Sequence, residues 1–137
     1  MEFENYEPQA AIVNFYNTST SLCAHQDDAE FFDAPLFSLS IGNSAVFQVG
    51  ESKEKDPLSI LIKSGDCVVM SGKSRLAYHG VPVVLKDSSP FCSLQDHEFP
   101  QVDPFLIDYL RNNRINLNVR QVLPPGNRDI SIFLENK

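Results

Sequence analysis

The chain has 137 residues, a formal net charge of −7 and 42% hydrophobic residues. This length suits one domain, the apolar content is too high for a disordered chain, and no apolar run approaches the ~20 residues of a membrane span. The acidic balance is a poor basis for binding nucleic acid through bulk electrostatics, although a local basic rim could suffice for a nucleic-acid substrate.

Short segments rich in β-branched and aromatic residues, bounded by turn residues, predict a mainly β chain. The strands at residues 36–41 and 45–49 are expected to pair as a hairpin through Gly42 and Asn43. Evenly spaced short strands of this kind favour a sandwich or a jelly roll. The predicted strands are residues 11–16, 36–41, 45–49, 58–62, 67–70 and 114–122, and residues 130–134 are a candidate for one more.

Residues 86–104 contain several prolines and polar residues, and they are expected to form an irregular insertion. Residues 104–112 then predict a short helix, because Asp103 is a good N-cap and Pro104 suits the first helical turn. The apolar stripe of this helix would consist of Phe105, Leu106, Tyr109 and Leu110.

The cysteines and the N-terminal residues restrict the compartment. Cys23, Cys67 and Cys92 are odd in number and form no CxxC pair, which argues against a disulfide framework and a structural zinc site. Cys67 begins an apolar run and is expected to lie in the core. The N-terminus is acidic and has no apolar core of a secretory signal. We therefore expect an intracellular protein of the nucleus, the mitochondrion or the cytoplasm.

His25, Asp27 and His79 are candidate metal ligands in a chain that has 3 histidines. Residues two apart on a strand project to the same face, so His25 and Asp27 could reach one ion, with His79 supplied by another strand. Two imidazoles and a carboxylate are the ligands of facial-triad Fe(II) sites, which keep open coordination positions, and zinc also accepts this set. The alternatives are a rival third ligand, His97, and a chance HxD motif that binds no metal.

In the predicted strand at residues 114–122, the first seven residues alternate strictly between polar and aliphatic side chains. In an ordinary half-buried strand the polar face would meet water. Alternatively, this face lines the interior, where Arg114 and Arg120 could neutralise the two carboxylates of 2-oxoglutarate. Asn14 and Tyr16, two apart on the first predicted strand, could add neutral hydrogen bonds to the same ligand. The polar residues of the face are Arg114, Asn116, Asn118 and Arg120.

With these residues the sequence resembles the AlkB family of Fe(II)- and 2-oxoglutarate-dependent dioxygenases. The resemblance covers about residues 11–122, and the order and spacing of its motifs are more specific than any one of them. Met70-Ser71-Gly72 and the insertion after Pro82 are most similar to the eukaryotic AlkB homologue-one branch. The motifs that carry the resemblance are Asn14-Phe15-Tyr16, His25-Gln26-Asp27, Ser38-Leu39-Ser40-Ile41-Gly42, Ala45-Val46-Phe47, Ser64-Gly65-Asp66, Ser71-Gly72-Lys73-Ser74-Arg75-Leu76, His79-Gly80-Val81-Pro82 and Arg114-Ile115-Asn116-Leu117-Asn118-Val119-Arg120.

The resemblance implies a mainly β, double-stranded β-helix core, a jelly roll with one short helix. It also implies that His25, Asp27 and His79 bind Fe(II), with no catalytic residue beyond these ligands. Ser74 and Arg75 lie in a motif typical of the family, and no role is assigned to them. The implied 2-oxoglutarate contacts are Arg114 at the distal carboxylate, Asn14 and Tyr16 beside it, and Asn116 and Arg120 nearer the metal.

The implied activity is oxidative demethylation of N-methylated bases in DNA or RNA, including tRNA, with molecular oxygen as co-reactant and no membrane partner. Such an enzyme would act in DNA repair or tRNA modification. Residues 1–137 are expected to form a single dioxygenase domain without the N-terminal nucleotide-recognition lid of family members. Two alternatives stay open: a 2-oxoglutarate oxygenase acting on a protein side chain, and a truncated, non-catalytic binding fragment. The oligomeric state is not predicted.

Overall fold

The computed structural model describes residues 4–28, 33–53, 55–94, 100–129 and 131, and their strands form two antiparallel sheets. The first sheet has the order β1-β8-β3-β6 and the second the order β2-β7-β4-β5, in the numbering given at the end of this paragraph. Because successive strands mostly alternate between two facing sheets, the architecture is the predicted jelly roll. The elements are β1 (Ala10–Tyr16), β2 (Leu22–His25), β3 (Leu36–Gly42), β4 (Ala45–Gly50), β5 (Leu58–Ile62), β6 (Cys67–Met70), β7 (Tyr78–Val84), α1 (Pro104–Asn112) and β8 (Arg114–Arg120), with short 3-10 helices at Gly72–Ser74 and Pro90–Ser93.

The predicted hairpin between residues 36–41 and 45–49 is wrong. β3 pairs with β8 and β6, whereas β4 pairs with β5 and β7 in the other sheet. Gly42 has a φ of 91°, and a Cβ at this position would collide with the carbonyl oxygen of Asn113. The buried Asn43 donates a side-chain hydrogen bond to the same carbonyl. The turn is thus anchored to the C-terminal end of α1, and this anchor directs β4 into the second sheet.

Apolar side chains from both sheets meet in one buried cluster. Leu36 of β3 is 2% exposed and Ala45 of β4 is fully buried, so the cluster lies between the sheets. Truncating such a side chain typically costs about 2–5 kcal/mol, because a cavity is left behind. Leu36, Phe47, Met70 and Val81 of this cluster also form apolar walls of the site described below. The cluster consists of Tyr16, Leu36, Ala45, Phe47, Ile62, Met70, Val81 and Val84.

The first sheet carries polar side chains beside the core residues of its inner face, and its outer face is apolar and partly exposed. Its inner face carries the polar side chains of β8, and the outer face is apolar at every position of its paired strands. Phe15 and Val13 of β1 are 63% and 47% exposed, and Val69 of β6 is 40% exposed. Antiparallel sheets normally put the apolar face inward, so the polar inner face needs a functional reason. The outer residues are Ala11, Val13, Phe15, Phe37, Leu39, Ile41, Cys67, Val69, Ile115, Leu117 and Val119.

Helix α1 begins where the sequence predicts, but its buried face differs from the predicted one. The Asp103 carboxylate accepts a hydrogen bond from the Phe105 amide, which confirms the N-cap. Ile107 and Leu110 are the buried residues of the helix, whereas Phe105 is 74% exposed. The predicted stripe is therefore wrong at Phe105 and Leu106, which is also exposed. Which side of the helix is buried depends on the position of the first sheet, and the helical period alone does not specify that position.

Three further expectations have different outcomes. Cys67 is exposed and not a core residue, because it lies on the outer face of β6, an edge strand. The strand suggested at residues 130–134 lies outside the described residues, apart from Ser131. β8 ends at Arg120, short of residue 122. Among the described residues, no helix has the length and apolar character needed to cross a membrane.

Candidate metal centre

His25, Asp27 and His79 come together at one end of the second sheet. His25 is the last residue of β2, and it lies directly opposite His79 of β7 in the antiparallel register. Asp27 follows the end of β2, so it reaches the site from the connection after the strand and not from the strand itself. One ligand atom from each residue lies within 4.8 Å of the other two. This spacing lets the three side chains share one metal ion.

Hydrogen bonds to the backbone set the orientation of both imidazoles. His25 Nδ1 lies 2.9 Å from the carbonyl oxygen of Cys23, and His79 Nδ1 lies 3.1 Å from that of Ala77. A carbonyl oxygen only accepts, so each Nδ1 carries the proton. Each Nε2 then keeps its lone pair, and these atoms lie 3.8 Å and 3.6 Å from the carboxylate oxygens of Asp27. Metal-binding histidines are commonly held through the other ring nitrogen in this way.

Burial keeps His79 in the form that binds metals. Its side chain is 7% exposed, and this desolvation lowers its pKa below the ordinary value for histidine, with the Ala77 carbonyl opposing the shift. A lowered pKa means a neutral ring at neutral pH, and only the neutral ring offers a lone pair. The side chain of His25 is 36% exposed, so the site is more accessible on its side.

Arg120 is paired with the carboxylate of the same cluster. Its Nη2 lies 2.9 Å from Oδ2 of Asp27, and both side chains are about nine-tenths buried, at 11% and 10% exposed. Asp27 Oδ2 nevertheless has no well-formed hydrogen bond in the described structure. Arg120 thus places a positive charge beside the carboxylate, and the lone pairs of Oδ2 are still available to a cation.

The cluster opens into a cavity of about 190 Å³ between the sheets. This volume is below the roughly 300–1,000 Å³ of sites for drug-sized molecules, so it suits a small ligand. The inner face of β8 and parts of β1 and β3 line one side. The lining residues are Ile12, Asn14, Tyr16, Leu22, His25, Asp27, Leu36, Ser38, Phe47, Met70, His79, Val81, Arg114, Asn116, Asn118 and Arg120.

Arg114 is a buried cation in this cavity. It is 1% exposed, its Nη2 donates to Ser40 Oγ at 3.0 Å, and its Cζ lies 5.0 Å from the ring centroid of Tyr16. Its Nε and Nη1 have no well-formed hydrogen bond in the described part of the chain. A buried guanidinium with unsatisfied donors is costly, and a carboxylate ligand would compensate its charge and accept from it.

The neutral side chains beside Arg114 form a connected polar layer. Asn14 Nδ2 donates to Asn116 Oδ1 at 3.3 Å, and Asn116 Nδ2 donates to Ser38 Oγ at 2.7 Å. Tyr16 is buried, and burial raises the pKa of its hydroxyl while the nearby positive charge of Arg114 opposes the shift. The hydroxyl is therefore protonated at neutral pH and is able to donate a hydrogen bond.

All eight residues singled out as metal or 2-oxoglutarate contacts therefore line one cavity, and the rival ligand His97 lies outside the described residues. Sequence reasoning missed Ser38 and Ser40 as partners of this layer. Their spacing of two on a predicted strand, the same signal that marked Asn14 and Tyr16, could have identified them. It also left Arg75 without a role; the structure buries this side chain near Asp27.

The chain matches the family model of the 2OG-Fe(II) oxygenase superfamily over residues 1–120. It is 37% identical over 125 residues to the tRNA demethylase abh1 of Schizosaccharomyces pombe, a match that covers 90% of this chain and 39% of that protein. It is 33% identical over 123 residues to the DNA N(6)-methyladenine demethylase ALKBH1A of Arabidopsis thaliana, covering 87% of this chain and 36% of that protein. A third relative is the nucleic acid dioxygenase ALKBH1 of Mus musculus, 36% identical over 142 residues, covering 90% and 36%.

A solved structure, that of OsALKBH1, matches with a TM-score of 0.69 and 31% sequence identity over 85% of this chain and 51% of the other. The chain spans less than two-fifths of the length of the three curated relatives above, at 36–39%. The family model, the relatives and the jelly-roll fold agree with each other. The chain belongs to the 2OG-Fe(II) oxygenase superfamily, and over most of its length it is similar to AlkB-family proteins of the ALKBH1 type.

Proposed function

We propose that this chain is an Fe(II)- and 2-oxoglutarate-dependent dioxygenase that oxidatively demethylates N-methylated bases in DNA or RNA. The observation that carries the proposal is one cavity with a metal-ligand cluster at one end and the unsatisfied guanidinium of Arg114 further inside. The names of the relatives, which include a tRNA demethylase and a DNA N(6)-methyladenine demethylase, support the substrate class.

The residues present fit a metal ion with a dicarboxylate cosubstrate. His25, Asp27 and His79 offer two neutral nitrogens and a carboxylate, and Oδ2 of Asp27 still has hydrogen-bonding capacity. Three protein ligands leave coordination positions for other groups. At the inner end, the buried guanidinium of Arg114 keeps unsatisfied N–H donors at Nε and Nη1, and such a cation suits a carboxylate ligand. Fe(II) and 2-oxoglutarate are the groups that the family name specifies.

We assign the cosubstrate contacts by position along the cavity. Arg114, with Tyr16 and Asn14 beside it, would hold the carboxylate far from the metal. Asn116 and Arg120 would support the cosubstrate nearer to Asp27. The bound iron and cosubstrate supply the oxidising chemistry, and the protein supplies position, charge and exclusion of water. The apolar walls from Leu36, Phe47, Met70 and Val81 serve the last of these tasks.

The test of the metal and cosubstrate sites is anaerobic titration of the chain with Fe(II) and 2-oxoglutarate. The complex is expected to show a charge-transfer absorption band in the visible region, and His25→Ala should abolish it. Lys63→Ala is the matched control, because Lys63 precedes the turn after β5 and does not line the cavity. A missing band in the unmodified chain, or an undiminished band in His25→Ala, contradicts the proposal.

The substrate class is tested by succinate release in air. Oligonucleotides that carry an N-methylated base should stimulate release and yield formaldehyde, whereas the same oligonucleotides without the methyl group should not. The net charge of −7 gives the rival substrate, a protein side chain, its physical support. Stimulation by methylated peptides and not by methylated oligonucleotides would favour that rival.

A further inference from the structure

Arg75 is a buried cation close to the metal cluster that does not line the cavity. It is 4% exposed and follows the 3-10 helix at Gly72–Ser74. Its Nη1 donates to the carbonyl oxygen of Asp27 at 2.7 Å, and its Nε donates to that of Ala34 at 2.8 Å. One guanidinium therefore holds both ends of the connection that begins at Asp27 and leads to β3.

The residues after Arg75 make two more contacts to the same cluster. The carbonyl oxygen of Leu76 accepts a hydrogen bond from Gln26 Nε2 at 2.6 Å. The carbonyl oxygen of Ala77 accepts from Nδ1 of His79 at 3.1 Å. The segment Arg75-Leu76-Ala77 thus contacts the backbone of Asp27, the residue before it and the ring of His79. No other described connection is tied to both sides of the cluster in this way.

The turn that presents this segment is itself held locally. The Ser74 hydroxyl donates to the carbonyl oxygen of Ser71 at 2.9 Å and accepts from the amide of Ser71 at 3.2 Å. The amide of Arg75 donates to the carbonyl oxygen of Gly72 at 3.1 Å. A turn closed in this way fixes the backbone position from which the Arg75 side chain extends. The motif Ser71-Gly72-Lys73-Ser74-Arg75 therefore has a physical role.

We propose that Arg75 is a positioning residue for the metal centre, and this inference rests on the metal site of the proposed function. Asp27 lies beyond the end of β2, so no strand pairing fixes its backbone. The hydrogen bond from Arg75 replaces that constraint and sets the distance of the Asp27 carboxylate from the two imidazoles. Groups that orient metal ligands typically contribute about 10–100-fold to metal affinity.

Arg111 is a matched control for the alternative that Arg75 only stabilises the fold. Its Nε donates to the carbonyl oxygen of Phe91 at 3.1 Å, and its Nη2 donates to that of Leu94 at 2.8 Å. Like Arg75, it is an arginine that donates to two backbone carbonyls of one connection. Unlike Arg75, it contacts no metal ligand among the described residues. A fold-stabilising role predicts equal effects of Arg75→Met and Arg111→Met.

The experiment measures cobalt(II) affinity by absorption titration, and thermal unfolding in parallel, on the full chain. Arg75→Met is expected to weaken cobalt binding about 10–100-fold, and Arg75→Lys, which can satisfy one carbonyl, should fall between it and the unmodified chain. Arg111→Met should lower the melting temperature and keep the cobalt Kd within about twofold. If Arg75→Met does not fold, Arg75→Gln replaces it with the same expectation.

Two failures are distinguishable. If the unmodified chain and Arg75→Met (or Arg75→Gln) bind cobalt with the same Kd, the positioning role is overturned. The proposed function then stays intact. A lack of cobalt binding by the unmodified chain contradicts the metal site, and with it both proposals.

Discussion

The two ends of the inner face of β8 carry the same residue in opposite electrostatic situations. Arg120 lies 2.9 Å from the carboxylate of Asp27, so its charge is compensated within the protein. Arg114 is buried at 1% exposure and meets only neutral partners among the described residues, Ser40 and Tyr16. The buried charge of Arg114 destabilises the fold until an anionic ligand binds, whereas the charge of Arg120 is already compensated by Asp27. A strand that alternates evenly in sequence therefore has one end whose charge is paired within the protein and one end whose charge is unpaired among the described residues.

The largest expected effect is that of Arg120→Met on the free energy of unfolding. Removing one partner of a buried ion pair leaves Asp27 as an uncompensated charge, and such changes cost about 3–5 kcal/mol. Urea unfolding without metal measures this loss. Added Mn(II) should recover part of it, because the metal then compensates Asp27. An unfolding free energy within about 1 kcal/mol of the unmodified chain would contradict the structural role of the pair.

Arg114→Met is expected to have the opposite profile. In the absence of ligand it should lower the unfolding free energy by no more than about 1 kcal/mol, because one hydrogen bond is lost and a buried unpaired charge is removed. Binding of 2-oxoglutarate to the Mn(II)-loaded chain should weaken by about 2–5 kcal/mol, at least about 30-fold in Kd. Calorimetric titration measures the Kd. Retained 2-oxoglutarate affinity would remove the distinction between the two arginines.

Ser40→Ala sharpens the comparison at the binding end. Ser40 Oγ is the hydrogen-bond acceptor of Arg114 Nη2 at 3.0 Å, and hydrogen bonds to charged groups contribute about 1.5–3 kcal/mol. The 2-oxoglutarate Kd should rise about tenfold, because the guanidinium loses its orientation, and cobalt affinity should stay unchanged. A fall in cobalt affinity of similar size would mean that the serine acts on the whole fold and not on Arg114.

Asn14→Ala has the smallest expected effect. Its hydrogen bond to Asn116 is long, at 3.3 Å, and bonds between neutral groups contribute about 0.5–1.5 kcal/mol. The 2-oxoglutarate Kd should rise by less than about tenfold, with no change in metal affinity. Asn17→Ala is the control, because the hydrogen bonds of Asn17 to other described residues lie within its own exposed turn. An effect of Asn14→Ala as large as that of Arg114→Met would place the ligand carboxylate nearer to β1 than proposed.

Local patterns predicted most of the strands and the residues of the site. Period-two alternation identified Arg114 and Arg120 on one face, and the short spacing of His25 and Asp27 placed them near each other. The hairpin at Gly42 was predicted wrongly, because strand pairing depends on partners such as β8 that are distant in sequence. Cys67 was predicted wrongly for a similar reason, since burial on an edge strand depends on which face meets the other sheet.

Sequence by itself determined which residues could act together: the HxD motif, the second histidine and the alternating cationic strand. Only the tertiary structure decided that the polar face of β8 turns inward and the apolar face outward. Alternation defines two faces but not their direction, since the direction depends on where the second sheet closes. The role of Arg75 was likewise invisible in the sequence, because its acceptors are backbone carbonyls, and every residue has one.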